Sequence, residues 1–362
     1  MKKKIAFLKF AGLASGGIEK YLQTMAVVLK KNGHDVDYYY TNAAPFINSD
    51  FVHPPNDENR RQYLLNNNIS TYEIKVGYKN GGTIPYTWHD TNIWDVFDPS
   101  KYDFIQTGRA GYPEYPFTEI KNTKIVDSIH GPWVHKQENI VHSILLCKWQ
   151  LDQWVSNGGD VSKTTIIPSL VYVPPIKSSN LRQKYNLKDK FIYGIHQRND
   201  PGIFSPANLQ AYKNISNDNN CFVILGGSNK HREYVAANKI PNVYFEDFSS
   251  DVNQIHDFLE GIDVYAHARN GGEVCSASIV EAMYHGKPVI SIPGKDMGHL
   301  EQIDGCGKMC YNLQEYMSEM VILEKSRQYY VLKSSQTKQK YKEKYDFNKI
   351  EKDIVDLYET LT

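Results

Sequence analysis

The segment 271–290, GGEVCSASIVEAMYHGKPVI, holds the densest set of groups able to do chemistry. A glycine pair and Glu273 lead into a helical pattern that opens with Ser276 and Ser278, and Glu281 follows Glu273 by eight positions. An α-helix leaves its first N–H groups without intrahelical partners and carries the positive end of its dipole there. Small polar residues at such a start leave those donors open to a phosphate. Glu281, about one and a half turns into the helix, could then accept hydrogen bonds from the hydroxyls of a ribose. Glu273, just ahead of the helix, could meet a second sugar. Two surface carboxylates on an ordinary amphipathic helix are the alternative, because exposed Glu is common.

Four other places carry candidate groups. Gly16-Gly17-Ile18-Glu19 follows an apolar run, and glycine there lets backbone approach a bound group, although many αβ turns need glycine for geometry alone. His130-Gly131 ends the run 124–129, where a histidine serves structure as readily as chemistry. Arg198 follows the run 191–194, which ends at Gly194; its planar fork suits phosphate oxygens, with a plain surface arginine as the other reading. Gly226-Gly227 closes the run 221–225. No Asp-x-Asp stands at a strand end to hold a metal. The five cysteines (Cys147, Cys221, Cys275, Cys306, Cys310) are scattered, and no second Cys/His pair near Cys306 and Cys310 completes a zinc site. They read as the reduced thiols of a cytoplasmic protein.

The elements that must position these groups alternate. The run 4–10 reads as a buried parallel strand, followed by a helix over 18–31 that Asn32-Gly33 stops and a strand over 35–40. Strand, glycine turn, helix and strand make the βαβ unit of a doubly wound sheet. The polar stretch 43–99 is unassigned. Strands are expected over 102–106 and 124–129, a helix over 136–146, and a linker over 163–175 with Pro168, Pro174 and Pro175. The second half repeats the rhythm. Strands are expected over 191–194, 221–225, 243–246, 264–267 and 288–292, with helices over 205–215 and 276–284. Residues 313–362 read as mainly helical and charged. At 362 residues two domains are expected.

Lys+Arg and Asp+Glu both number 41, so no global basic field attracts nucleic acid. The opening MKKKIAFLKF is broken by Lys9 and reads as a strand rather than a signal peptide. No run approaches the roughly 18 apolar residues of a spanning helix.

The spacing Glu273-x7-Glu281, then Ala282-Met283, Tyr284-His285-Gly286 and Lys287-Pro288-Val289-Ile290, resembles the signature of the retaining GT-B glycosyltransferases of the family-4 (group 1) class. In that class the first Glu approaches the donor sugar and the second binds the ribose, which places Cys275, Ser276 and Ala277 beside the donor. The usual aromatic–glycine pair after the first Glu is replaced here by Cys275-Ser276. Gly16 and Gly17 match the glycine loop that approaches the diphosphate, and His130 the histidine beside the donor sugar. Met297-Gly298-His299-Leu300-Glu301 resembles the glycine-and-glutamate loop, with Gly298 and Glu301 as the matching positions. Gly194 and Arg198 match the strand and phosphate-gripping arginine of the second domain, and Gly226-Gly227 the backbone against which the base packs. The class places a lysine about five residues after that arginine, and here the position is Ile203. Either another cation completes the site, or the pocket relies on Arg198 and backbone donors.

The resemblance implies an α/β, GT-B fold of two Rossmann-like domains with parallel sheets facing a central cleft. An acceptor-side domain would span 1–170, a donor-side domain 171–345, and a helix over 346–362 would pack back on the first. The implied reaction moves a hexose-type sugar from a UDP-, GDP- or ADP-sugar to an acceptor hydroxyl of a glycan, glycolipid or small molecule. It proceeds with retention, without cofactor or metal, and His130, Glu273 and Arg198 carry it. Peripheral membrane contact stays open, although no strong amphipathic basic stretch is present and the Lys-rich run 333–344 reads as a solvated helix face. The competing readings are a nucleotide-sugar epimerase of the same architecture, a non-catalytic sugar-nucleotide-binding protein, and a dehydrogenase. The last lacks Gly-x-Gly-x-x-Gly after the first strand.

Overall fold

The computed structural model describes residues 2–14, 16–42, 55–79, 88, 90–173, 179–248 and 251–361. Ser15 of the first glycine turn, and Pro174 and Pro175 of the expected linker, lie outside them. The chain divides into two compact units, one holding the described residues up to Leu170 together with Phe347–Thr362, the other Val171–Asp346.

The first unit is built on seven parallel strands: β1 (Lys4–Lys9), β2 (Asp35–Thr41), β3 (Ser70–Ile74), β4 (Phe104–Arg109), β5 (Lys124–Ile129), β6 (Ile140–Leu145) and β7 (Thr164–Ile166). Their order is β3-β2-β1-β4-β5-β6-β7. Ile5, Ala6, Phe7 and Leu8 of β1 are all buried, as a strand covered on both faces requires. The helix Gly17–Lys31 lays Leu22, Met25, Ala26 and Leu29 on the sheet at helical spacing. Gly33 ends the turn after it at a φ of 93°, in the left-handed region that favours glycine. The last helix, Phe347–Thr360, buries Ile350, Ile354, Leu357 and Tyr358 in this same unit. Its Tyr358 hydroxyl donates to Gln106 Oε1 on β4 at 2.6 Å. Each such apolar side chain contributes at most about 1.5–3 kcal/mol by leaving water.

One expected element is corrected. Residues 136–146 do not form a helix; they enter β6, and the helix comes later, at Lys148–Ser156. Ile140 and Ile144 stand four apart, a spacing shared by one face of a helix and one face of a strand. The β-branched Ile140, Val141 and Ile144 tip the balance to the pleated form. The expected linker also begins later, because Thr164–Ile166 is the edge strand β7 pairing with β6.

The second unit carries β8 (Phe191–Gln197), β9 (Asn220–Gly226), β10 (Val243–Glu246), β11 (Val264–Ala266), β12 (Gly272–Glu273), β13 (Val289–Ser291), β14 (Asp296–Met297) and β15 (Lys308–Met309). Six make a parallel sheet in the order β10-β9-β8-β11-β13-β15, and among the described residues β12 pairs with β14 alone. The chain winds outward from β8 in one direction and from β11 in the other. Such a reversal opens a crevice at the carboxyl ends of the two central strands. His196 and Gln197 end β8 and Arg198 follows it, while His267 and Arg269 follow β11.

Candidate functional site

Glu273 ends the two-residue strand β12, held against Met297 of β14. Two left-handed glycines deliver it there: Gly271 at a φ of 82° and Gly272 at 76°. A Cβ on Gly272 would come within 2.0 Å of the Asp296 carbonyl oxygen, so only glycine lets the two short strands meet. The Glu273 carboxylate is mostly buried. Its Oε1 lies 2.6 Å from an Arg269 terminal nitrogen and 3.9 Å from His267 Nε2, and accepts from Ser276 Oγ at 3.4 Å. Burial by itself would raise the carboxyl pKa, but the Arg269 charge in contact with it and the His267 ring nearby hold it down at about 2. Glu273 is therefore a fixed anion, unsuited to giving up a proton. His267 is lowered below the usual histidine value by burial, despite Glu273, and its Nδ1 meets Ser291 Oγ at 2.7 Å.

Ser276 is the N-cap of the helix Ala277–Tyr284, yet its side chain caps nothing. Its hydroxyl turns to Glu273 and to Ser278 Oγ at 3.0 Å. Gln302 takes both sides of Ser276's backbone: the Ser276 N–H donates to Gln302 Oε1 at 2.7 Å, and Gln302 Nε2 donates to the Ser276 carbonyl at 3.0 Å. The Ser276 amide is thus spoken for, and the open donors of the helix start are those that follow it. Gln302 belongs to the short helix Gly298–Ile303, which also sends His299 against the carbonyls of Glu273 (3.2 Å) and Ile292 (2.9 Å). The Glu273 motif and the Gly298–Glu301 motif, separate in sequence, are in this way clamped into one body. Gly298 is buried at the start of that helix and Glu301 lies in its first turn. Ala277 opens the longer helix, and Cys275 is half-buried just before it. Glu281 faces β8, where its Oε2 lies 2.8 Å from His196 Nε2.

Arg198 leaves β8 and folds onto Asp200, with its Nε at 3.1 Å and a terminal nitrogen at 2.6 Å from the same oxygen. Asp200 also accepts from the Gly202 N–H at 2.9 Å, fixing the turn Pro201–Ile203. That turn touches the loop before β12, because the Asn270 N–H donates to the Ile203 carbonyl at 3.0 Å. Gly226 and Gly227 wrap the end of β9 over the end of β8, where a Cβ on Gly226 would meet the Gln197 carbonyl oxygen at 2.3 Å. Gly194 sits away from the strand end. In mid-strand, its missing side chain makes room for Phe258 and Ile262, so its place is the core.

Gly16, Gly17 and His130 belong to the first unit. Gly16 is the N-cap of the helix Gly17–Lys31, and Glu19 Oε2 fills the space a Cβ there would occupy. Glu19 is paired with Lys9 at 3.1 Å, while nothing crowds Gly17. His130 follows β5 with its N–H bonded to the Arg109 carbonyl at 2.8 Å and its ring edge-on to Tyr21. Its Nε2 is buried without a hydrogen-bond partner among the described residues. Burial, aided by Lys9, pushes its pKa down to about 3, so the ring is neutral.

Four residues of this arrangement escaped the sequence reading: His196, His267, Arg269 and Gln302. Arg269 alone left a signal, an arginine four positions before Glu273. The others act across strands and helices brought together only by the fold.

Residues 207–319 match the family model described as glycosyl transferases group 1. No curated protein matches the chain. Among solved structures, Anabaena HepE in complex with UDP and glucose shares 17% identity over 99% of this chain and 100% of its own, with a TM-score of 0.74. Sucrose-phosphate synthase of Thermosynechococcus elongatus shares 14% identity over 99% and 98%, at a TM-score of 0.73. WaaG, a glycosyltransferase involved in lipopolysaccharide biosynthesis, shares 13% over 98% and 99%, at 0.67. The chain has the GT-B fold, and the span similar to the group 1 glycosyl transferases is the one that carries Glu273, Ser276, Glu281, Gly298 and Glu301.

Proposed function

We propose that the chain is a retaining glycosyltransferase that moves a hexose-type sugar from a nucleoside diphosphate to an acceptor hydroxyl. The observation that carries this reading is the fixed Glu273 anion set beside an uncapped helix start, with Glu281 deeper on the same helix. In the reaction the bond from the anomeric carbon to the diphosphate breaks, and a bond to the acceptor oxygen forms on the same face. The acceptor proton leaves toward the departing phosphate. The hard part is the charge gathering on the diphosphate, which preorganised donors stabilise without moving. The amides that follow Ser276 and the Arg198 guanidinium supply such donors, and no metal is called upon. Glu281 takes the ribose hydroxyls in exchange for His196. Glu273 accepts from hydroxyls of the transferred sugar. His130, neutral at any working pH, does not act as a strong base.

HepE was solved with UDP-glucose, which makes UDP-sugars the first donors to try. The protein is incubated with UDP-, GDP- and ADP-sugars without acceptor, and nucleoside diphosphate release is followed together with the anomeric signals of the product. Slow release that is lost in Glu273→Ala, unchanged by EDTA and retaining in configuration is expected. No release from any donor, or an epimer in place of free sugar, overturns the reading.

A further inference from the structure

The partners of Glu273 are gathered on one oxygen. Arg269, His267 and Ser276 all meet Oε1, at 2.6, 3.9 and 3.4 Å. Oε2 has no hydrogen-bond partner among the described residues, and the side chain keeps 17% of its surface open. A carboxylate in such a place, with one oxygen tied and the other bare, is both charged and aimed.

We propose that Arg269 is a positioning residue that sets donor-sugar recognition: by taking Oε1 it holds Glu273 so that Oε2 accepts from a hydroxyl of the donor's sugar. The inference rests on the donor reading above and adds to it the group that gives Glu273 its direction. Arg269 is itself well placed to be rigid. Its neighbour Asn270 is bonded to Ile203 through the backbone and to Gly202 through the side chain, which pins the loop at both steps. The guanidinium meets Glu273 through one terminal nitrogen, and a lysine, a point charge on a flexible stem, would not reproduce that contact. Ser276 and His267 are too long-range to orient the carboxylate by themselves. The charged and titratable groups around Glu273 are Arg269, His267, Asp296 on the paired strand β14, and His299 against its backbone carbonyl. Of these, Arg269 is the cation in direct contact with the carboxylate.

The test separates sugar from nucleotide. Affinities for UDP and UDP-glucose are measured by calorimetry on the wild type, Arg269→Gln, Arg269→Lys, Glu273→Gln and the Glu273→Gln/Arg269→Gln pair, with melting temperatures to check folding. In Arg269→Gln the extra affinity that the glucosyl group brings over UDP should fall about tenfold, the size of one lost charge-assisted bond, with UDP itself within about twofold. Arg269→Lys should recover only part of it. In the double variant the second change should add nothing to the first, because both remove the same interaction. Donor hydrolysis gives a second readout. Without Arg269, burial is left to raise the Glu273 carboxyl, so Arg269→Gln should lose activity as pH falls through the acidic range where the wild type stays flat, and Arg269→Lys should stay flat. Equal losses for UDP and UDP-glucose would make Arg269 a phosphate contact and overturn the inference, as would an unchanged sugar increment. If the wild type binds no UDP-, GDP- or ADP-sugar, the donor reading falls with it. Wild-type binding with an indifferent Arg269→Gln sinks this inference alone.

Discussion

Two helices in this molecule start in the same way and use their starts differently. Gly17–Lys31 opens on the second residue of the Gly16-Gly17 pair, Ala277–Tyr284 comes a few residues after Gly271-Gly272, and neither has a side-chain cap, since Gly16 has no side chain and the Ser276 hydroxyl turns to Glu273 and Ser278. The first carries an acid in its opening turn, Glu19, folded back over Gly16 and neutralised by Lys9. The second has no acid in its first turn. The nearest carboxylate, Glu273, precedes the start and is drawn to Arg269. A helix N-terminus carries a partial positive charge of roughly half a unit. In the first helix the chain brings its own anion to that charge; in the second it sets no acid in the first turn, as the proposed donor site requires. A glycine turn followed by a helix is thus not enough to mark a phosphate site. On the proposed reading, what the first turn does with charge decides it.

The largest expected effect lies at the second start. Glu273→Ala should lower donor turnover by about 10²–10³-fold, as for loss of one preorganised polar group aimed at the reacting centre. Nucleoside diphosphate release measures it, and a variant within threefold of wild type would place the second start on a par with the first. Gln302→Leu comes next. It strips two bonds from the buried Ser276 peptide, so stability to urea should drop by about 2–4 kcal/mol, and a loss under about 0.5 kcal/mol would show that the Gly298–Ile303 helix does not clamp the site. Glu281→Ala should weaken nucleotide binding about tenfold, near 1.4 kcal/mol, and leave stability less affected. Unchanged affinity would return Glu281 to a mere partner of His196.

His130 sharpens the contrast in the first unit through pH. Its folded pKa of about 3 lies below the ordinary 6.5, so the unfolded chain binds a proton that the folded one refuses. Stability is therefore unaffected by this group above about pH 6.5 and is lost as pH falls toward 3. Between pH 6 and 5 the loss should be about 1 kcal/mol, seen as a slope in urea midpoints that flattens in His130→Asn. An equal slope in the variant would mean the ring is not held neutral.

The doubly wound pattern was legible because parallel strands covered on both faces leave continuous apolar runs, as at Ile5–Leu8 and Cys221–Leu225. Where the runs shorten or the spacing fits both periods, legibility fails: β6 was read as a helix, and the two-residue strands β12 and β14 carry no pattern at all. In the candidate site, Glu273 and Glu281 were picked out by their spacing, and the structure sets one just before and the other within the same helix. Arg198 was read correctly as the arginine after β8, but its pairing with Asp200 two residues on was not foreseen. Gly194 was read as a ligand-edge glycine, and the structure sets it in mid-strand against Phe258 and Ile262, more than sixty positions away. The clamp from Gln302 and the pairing of Glu281 with His196 span 26 and 85 positions, and no local spacing rule reaches that far.

The smallest expected effect tests the first start directly. Glu19→Gln removes the charge that the chain itself sets at the opening of Gly17–Lys31, and leaves Lys9 without its acid partner. If that start is filled from within, the donor's diphosphate depends little on it. Its affinity should then shift by less than about threefold, under 0.7 kcal/mol, and any shift should be toward tighter binding, since a carboxylate has gone and a cation has been freed. Stability should fall by only a few tenths of a kcal/mol, the usual size of a first-turn acid's contribution. A gain in diphosphate affinity well beyond threefold would show that Glu19 was holding a second anion site shut, and the two helix starts would then differ in occupancy and not in kind.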